Sequence, residues 1–321
     1  MTLVETIRER LNEVYPIEVT NVEAVTNEMY RCKAEEETYY ARITNYKTLD
    51  EQAEEVRYTE FLRNEGLGTS PAIASLNGNV VEKISLPEKD VLTVLYEAAP
   101  GRHLPRSEWN ADVLKEVGRE IGKLHRASKK FEKTHPIQHI NDWHESGEYD
   151  FLTYIPEEEQ AIRAIAEEVH STIRNLPKTD GNYGLLHGDL WLENILVDDD
   201  RRMTMIDFQD CEKHFYIFDL AVPIYSAIEY SFPGGGNIVD YGREVTKAII
   251  EGYEEENDLS AEMVEKLPLF IKLKELFEYS LMHMYWDKEK LTEEQMRIMN
   301  HFRMRIERNH SMIEEKWLTR T

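Results

Sequence analysis

Residues 185–210 read LLHGDLWLENILVDDDRRMTMIDFQD. Two short apolar runs flank an acidic turn, and the polar residues sit at set intervals. Asn194-Ile195-Leu196-Val197 has strand composition, Asp198 to Arg202 that of a turn, and Met203-Thr204-Met205-Ile206 that of a returning strand. A hairpin of this kind brings Asn194 and Asp207 to its open end, beside the loop that carries His187 and Asp189.

The order H-x-D-L-x-x-x-N followed by D-F matches the protein-kinase signature H-R-D-L-x-x-x-N with D-F-G. Gly188 stands in place of the Arg, and Gln209 in place of the last Gly. Phosphoryl transfer from ATP needs Mg²⁺ on the β- and γ-oxygens, an aligned hydroxyl, and a carboxylate to take that hydroxyl's proton. Asp189 is the candidate catalytic base. Asn194 and Asp207 are the candidate Mg²⁺ ligands, both hard oxygen donors of the type this ion prefers. A single Asp here would read as a solvated turn residue; four matched positions argue for chemistry.

HGDLWLENILV and MIDFQD resemble the aminoglycoside phosphotransferase and choline kinase group, whose loop reads H-G-D. The continuation CEKHFYIFDLAVPIY, with Asp219 before Leu220-Ala221, resembles it too. The resemblance implies a two-lobed, protein-kinase-like α+β fold with an antiparallel-sheet N-lobe and a mainly helical C-lobe. It also implies ATP-dependent phosphorylation of a small-molecule hydroxyl, or in a few members of protein Ser/Thr. Trp191-Leu192-Glu193 stands where family members commonly have His and a small residue, which leaves the acceptor open among aminoglycosides, amino alcohols, sugars and homoserine. By the same resemblance Arg42 takes the place of the Lys that grips the α- and β-phosphates, an exchange that is not neutral. Its carboxylate partner is assigned to Glu55, with Glu51 and Glu54 as rivals. The backbone of Glu97 and Ala99 is assigned to adenine. Asp219 is expected to brace the catalytic loop through backbone N–H groups, and Asp210 to stand behind the metal ligands.

Composition narrows the alternatives. The 321 residues carry a formal net charge of −24. That argues against general nucleic-acid binding, which rests on Lys and Arg, and is compatible with a cationic acceptor. Two cysteines, Cys32 and Cys211, form no framework and suit a reducing cytoplasm. No apolar run reaches the length of a membrane span. A protein kinase of the stress-response type, a catalytically silent nucleotide-binding regulator, and a preference for GTP are the rival readings.

Along the chain, Thr2 to Val14 has helical spacing of Leu3, Ile7, Leu11 and Val14. Ile17–Val25, Met29–Ala34 and Thr38–Thr44 read as strands of a meander. The turn Val25-Thr26-Asn27-Glu28, where a kinase covers the phosphates, has no glycine. Leu49 to Asn64 reads as a helix capped by Asp50. Gly68–Ser75 and Val80–Ile84 read as a hairpin around Asn77-Gly78, followed by a strand Val91–Ala98. The pattern breaks at Tyr96–Gly101, so the domains are placed at 1–98 and 99–321. Glu108–Phe131, Pro156–Asn175, Val239–Tyr253 and Ser260 to about Lys316 read as helical. His125 reads as a packed helix residue. His135, His139 and His144 read as ordinary histidines, because Pro136 interrupts ligand spacing. Ser231–Gly236 reads as a loop and not a P-loop, since no Lys-Ser/Thr follows.

Overall fold

The computed structural model describes residues 2–318; Met1 and residues 319–321, at the ends of the two expected domains, lie outside it. The first elements in chain order are α1 (Leu3–Val14), β1 (Asn21–Ala24), β2 (Met29–Ala34), β3 (Glu37–Thr44), α2 (Leu49–Asn64), β4 (Gly68–Thr69), β5 (Glu82–Ser85) and β6 (Asp90–Glu97). Then follow α3 (Ala111–Thr134), α4 (Phe151–Tyr154), α5 (Gln160–Arg174), β7 (Tyr183–Leu186), β8 (Ile195–Val197), β9 (Met203–Met205) and β10 (Glu212–Phe215). The chain closes with α6 (Ile217–Tyr230), α7 (Ile238–Glu254), α8 (Ala261–Glu265), α9 (Leu267–Tyr285) and α10 (Glu293–Glu307).

These elements form two compact units. The first comprises residues 1–103, 134–140 and 195–209; the second comprises 104–133, 141–194 and 210–321. The units are therefore not two consecutive stretches of chain.

In the first unit the sheet order is β1-β2-β3-β6-β5, antiparallel throughout. Period-two alternation buries Tyr30, Cys32 and Ala34 of β2 and exposes Arg31 and Lys33. α1 supplies Ile7 and Leu11 to the same core, and Tyr15, the residue that follows it, joins them. Its start is fixed by a Thr2–Glu5 capping box. A second small sheet, β4-β9-β8, contains the expected hairpin, with Ile195 opposite Met205.

Three expectations need correction here. The first strand covers only Asn21–Ala24, because the Asn12 side chain closes on the N–H and carbonyl of Val19, at 2.7 and 3.1 Å. α2 is capped by Thr48, in a reciprocal box with Glu51, and not by Asp50. The stretch 68–85 is no simple hairpin. Gly68–Thr69 pairs in parallel with β9, and Asn77-Gly78 belongs to a turn in which Glu82 accepts hydrogen bonds from Ser75, Asn77 and Asn79.

The second unit is helical apart from the β7–β10 ribbon. α6 is buried nearly all round, from Ile217 to Ile228, and packs on α7 and α9. The helical tail is interrupted between α8, α9 and α10. Among the described residues no helix is long and apolar enough to cross a membrane.

Candidate active site

In the first unit, β3 presents Arg42 and α2 presents Glu55, only 3% and 2% exposed. Arg42 Nη2 donates to Glu55 Oε1 and, at 2.9 Å, to the Tyr96 hydroxyl. Glu55 is thus the partner among the three acids considered. Glu51 serves the cap of α2. Glu54 accepts the backbone N–H groups of Gln138, His139 and Ile140. The other Glu55 oxygen accepts from Lys47 Nζ at 2.7 Å and Gln52 Nε2 at 3.1 Å. Burial works to raise the Glu55 pKa, but Arg42 and Lys47 outweigh it, so the carboxyl is held below the ordinary glutamate value. Burial opposes the charge on Arg42, while Tyr96, Glu55 and Asp207 favour it and keep it protonated. Arg42 Nε is buried without a hydrogen-bond partner among the described residues.

Asp207 follows β9 with a left-handed backbone, φ 65°, unusual for a residue with a side chain. It is exposed, and the next residue, Phe208, is buried edge-on against Tyr58. Lys47 Nζ also donates to the Gln209 carbonyl, tying this segment to the Glu55 cluster. In the Val25–Glu28 turn the Thr26 hydroxyl accepts the N–H groups of Glu28 and Met29, at 3.2 and 3.0 Å. A side-chain hydroxyl therefore organises the turn that glycines would otherwise shape. At the end of β6, the Glu97 N–H is taken by the Pro71 carbonyl at 3.0 Å, so Glu97 can offer a ligand its carbonyl and not its N–H.

In the second unit, β7 and β10 pair so that Leu186 faces Glu212, and the loop after β7 carries His187, Gly188 and Asp189. Asp219 of α6 is fully buried and accepts His187 N–H at 2.9 Å and Gly188 N–H at 3.0 Å. His125 Nε2 lies 3.0 Å from the same carboxylate, and its Nδ1 lies 3.0 Å from the Tyr253 hydroxyl. Burial pushes Asp219 upward, but the His125 hydrogen bond and the His187 N–H outweigh it and hold it below the ordinary aspartate value. The expected bracing role of Asp219 and the packed role of His125 are thus one network. Gly188 has φ 84°, and a Cβ there would lie 2.2 Å from the Asp210 carbonyl oxygen. This explains why the loop carries Gly where protein kinases carry Arg.

Asp189 is 28% exposed along its side chain. Its Oδ1 accepts from the Trp191 indole N–H and from Lys274 Nζ, the latter at 2.9 Å. Its carbonyl accepts Asn194 Nδ2 at 2.8 Å. That bond fixes the amide so that Asn194 Oδ1, a hard oxygen, is turned to other partners. Trp191, which the sequence marks as a departure on the acceptor side, thus touches the candidate base. Lys274 and Glu278 were not anticipated. The sequence signal is the charged trio Lys272, Lys274 and Glu275 inside the otherwise apolar run LPLFIKLKELF, with Glu278 just after it. Among the described residues no group of three or more His, Cys, Asp or Glu is placed to hold a metal ion.

The chain resembles known proteins along most of its length. Amicoumacin kinase of Bacillus subtilis (strain 168) is 28% identical over 286 residues, 88% of this chain and 84% of the relative. Homoserine kinase of Sinorhizobium medicae (strain WSM419) is 29% identical over 168 residues, 50% of this chain and 48% of the relative, so the chain spans about half the length of that enzyme. Among solved structures, an amicoumacin kinase in complex with AMP-PNP, Ca²⁺ and Ami superposes with a TM-score of 0.91 at 23% identity, over 98% of this chain and 97% of the other. A choline kinase from Streptococcus pneumoniae superposes at 0.61 and 13% identity, over 95% and 99%. These likenesses give the kinase-like fold that the sequence implied. Residues 18–255, which include both Arg42 and the whole 185–210 stretch, match the family model described as "Phosphotransferase enzyme family", and the chain belongs to that family of phosphoryl-transferring enzymes.

Proposed function

We propose that this chain transfers the γ-phosphoryl group of Mg-ATP to a hydroxyl of a small molecule of amicoumacin type. Asp189 takes the hydroxyl proton. Asn194 and Asp207 hold Mg²⁺, Arg42 braced by Glu55 positions the phosphates, and the Glu97 carbonyl and Ala99 backbone meet adenine. A set of one amide oxygen and one carboxylate suits Mg²⁺, which keeps waters and shares its shell with substrate phosphates. When bound, the ion neutralises charge on the β- and γ-oxygens. Arg42 Nε has no hydrogen-bond partner among the described residues, and a guanidinium suits an anionic oxygen.

The observation that carries the reading is the state of Asp189. One of its oxygens is held by two donors, in a loop clamped by the buried Asp219. The acceptor class rests on the amicoumacin kinase likeness, which extends over most of both chains, whereas the homoserine kinase likeness covers half.

The test is ADP release from Mg-ATP with amicoumacin, homoserine, choline and an aminoglycoside as acceptors. Amicoumacin-dependent release is expected, with a loss of ~10³-fold in kcat for Asp189→Asn, within the range of general-base assistance, and nucleotide affinity retained. Release with homoserine alone would replace the acceptor class. ATP binding without release for any acceptor would point to a protein acceptor or a silent regulator.

A further inference from the structure

Lys274 lies on α9 in the middle of the second unit, with 2% of its side chain exposed. Burying an ammonium is costly and is tolerated only with close counter-charges. Lys274 has two: Asp189 Oδ1 at 2.9 Å and Glu278 Oε1, one helical turn on, also at 2.9 Å. Its Nζ also lies over the Trp191 ring at 4.8 Å and the Phe277 ring at 4.9 Å, a cation–π environment. Burial works to deprotonate it, but Asp189 and Glu278 outweigh that and keep it charged.

Stability alone is a poor reason to build such a site, because buried ion pairs are often replaceable by apolar side chains without loss. What the site does achieve is asymmetry. Both donors, Lys274 Nζ and Trp191 Nε1, fall on Oδ1 of Asp189. Among the described residues no hydrogen bond falls on Oδ2. The indole is itself seated against Tyr225 and Tyr230, at ring separations of 6.1 and 5.1 Å. A carboxylate held by one oxygen has its rotation fixed, and the other oxygen has a defined direction.

The geometry points to Lys274 as a positioning residue for phosphoryl transfer: with Trp191 it holds Asp189 by Oδ1 so that Oδ2 receives the acceptor proton. This rests on Asp189 being the base. In the step itself, the acceptor oxygen forms its bond to the γ-phosphorus. The bond from that phosphorus to the β–γ bridging oxygen breaks, and ADP leaves with the electron pair. The hydroxyl proton passes to Oδ2 and then to solvent. Glu278 keeps the ammonium in place when Asp189 becomes neutral, so the clamp survives the proton transfer.

The experiment measures kcat and KM for ADP release from Mg-ATP, with amicoumacin as acceptor and, in parallel, with water alone. Lys274→Met should lower kcat ~100-fold, the cost of a misplaced catalytic group, with KM for ATP unchanged. In Lys274→Ala, ethylammonium chloride should restore ~10-fold by entering the emptied cage of two carboxylates and two rings. The double variant Lys274→Met with Glu278→Gln removes the unpaired Glu278 charge and should stay as slow as Lys274→Met. If the double variant regains wild-type kcat, Lys274 serves only to neutralise Glu278, and the inference falls. Should Lys274→Met fail to fold, the double variant and Trp191→Phe, expected ~10-fold down in kcat, decide the matter. Full activity in Asp189→Asn would overturn the base assignment itself. A dead Asp189→Asn beside a Lys274→Met within threefold of wild type would overturn the positioning role alone.

Discussion

In the first unit one carboxylate, Glu55, is shared by two cations, whereas in the second unit one cation, Lys274, is shared by two carboxylates. Every oxygen of Glu55 is engaged, by Arg42 on one side and by Lys47 and Gln52 on the other. The result is a closed brace, 2% exposed. In the Lys274 cluster the donors converge on one oxygen of Asp189, and the carboxylate retains 28% exposure. Similar ingredients therefore give a locked joint in one place and, in the other, a carboxylate held by a single oxygen, as the base proposed for Asp189 requires. What differs is the ratio of donors to acceptor oxygens, not the presence of a salt bridge.

The comparison can be broken from the locked side first. Glu55→Gln leaves Arg42 and Lys47 short of a counter-charge in a buried place, and should destabilise the protein by roughly 3–5 kcal/mol. Chemical denaturation should register this as a lower midpoint, in contrast to Asp189→Asn, whose midpoint should scarcely move while kcat falls ~10³-fold. Equal stability losses for the two variants would erase the distinction between brace and base.

Gly188→Ala tests the frame on which the base is carried. The added Cβ meets the Asp210 carbonyl oxygen and forces a side chain into φ 84°, a strain of about 1–3 kcal/mol. Activity should fall further than the melting temperature suggests, because the shifted loop carries Asp189. A variant with wild-type kcat would show that the loop relaxes without disturbing the carboxylate.

The smallest expected effect is in the pH dependence of stability. The folded Glu55 pKa is held below its ordinary value of 4.5. Its contribution is therefore complete above that value and is lost as pH falls through the lower, folded value. Melting curves of the wild type and Glu55→Gln should differ at neutral pH and converge in acid. A constant gap down to acid unfolding would place the stabilisation elsewhere.

Much of this was legible in the sequence because it is local. The alternation in β2, the periodicity of α1 and the 195–205 hairpin follow from patterns within a dozen residues, whereas β3, read as alternating, buries Ala41 to Thr44 without a break. The identity of H-G-D, Asn194 and D-F needs only their order. What escaped depends on contacts across long stretches of chain. Glu55 could not be told from Glu54 until Glu54 was seen capping a segment 84 to 86 residues away. The 68–85 stretch looked like a hairpin because Asn77-Gly78 is a strong turn signal, but the acceptor that gathers Ser75, Asn77 and Asn79 is the Glu82 carboxylate, not a facing strand. Lys274 sits 85 positions from Asp189, and nothing in α9 by itself says what its ammonium faces.

The interleaving of the two units has a consequence for synthesis. The chain crosses from one unit to the other after residues 103, 133, 140, 194 and 209. The five-stranded sheet is already encoded by residue 97, but β4 lacks its parallel partner until β9 has been made. At ordinary translation speeds the 106 residues between 103 and 209 take roughly 5–20 s to emerge. During that interval Gly68–Thr69, which belongs to the separate β4-β9-β8 sheet, has neither of its partner strands, and Glu54 waits for the backbone of 138–140. The part of the chain translated first is therefore finished late, and a fragment cut at the end of the sheet would reproduce a ribosome-bound intermediate, not a lobe.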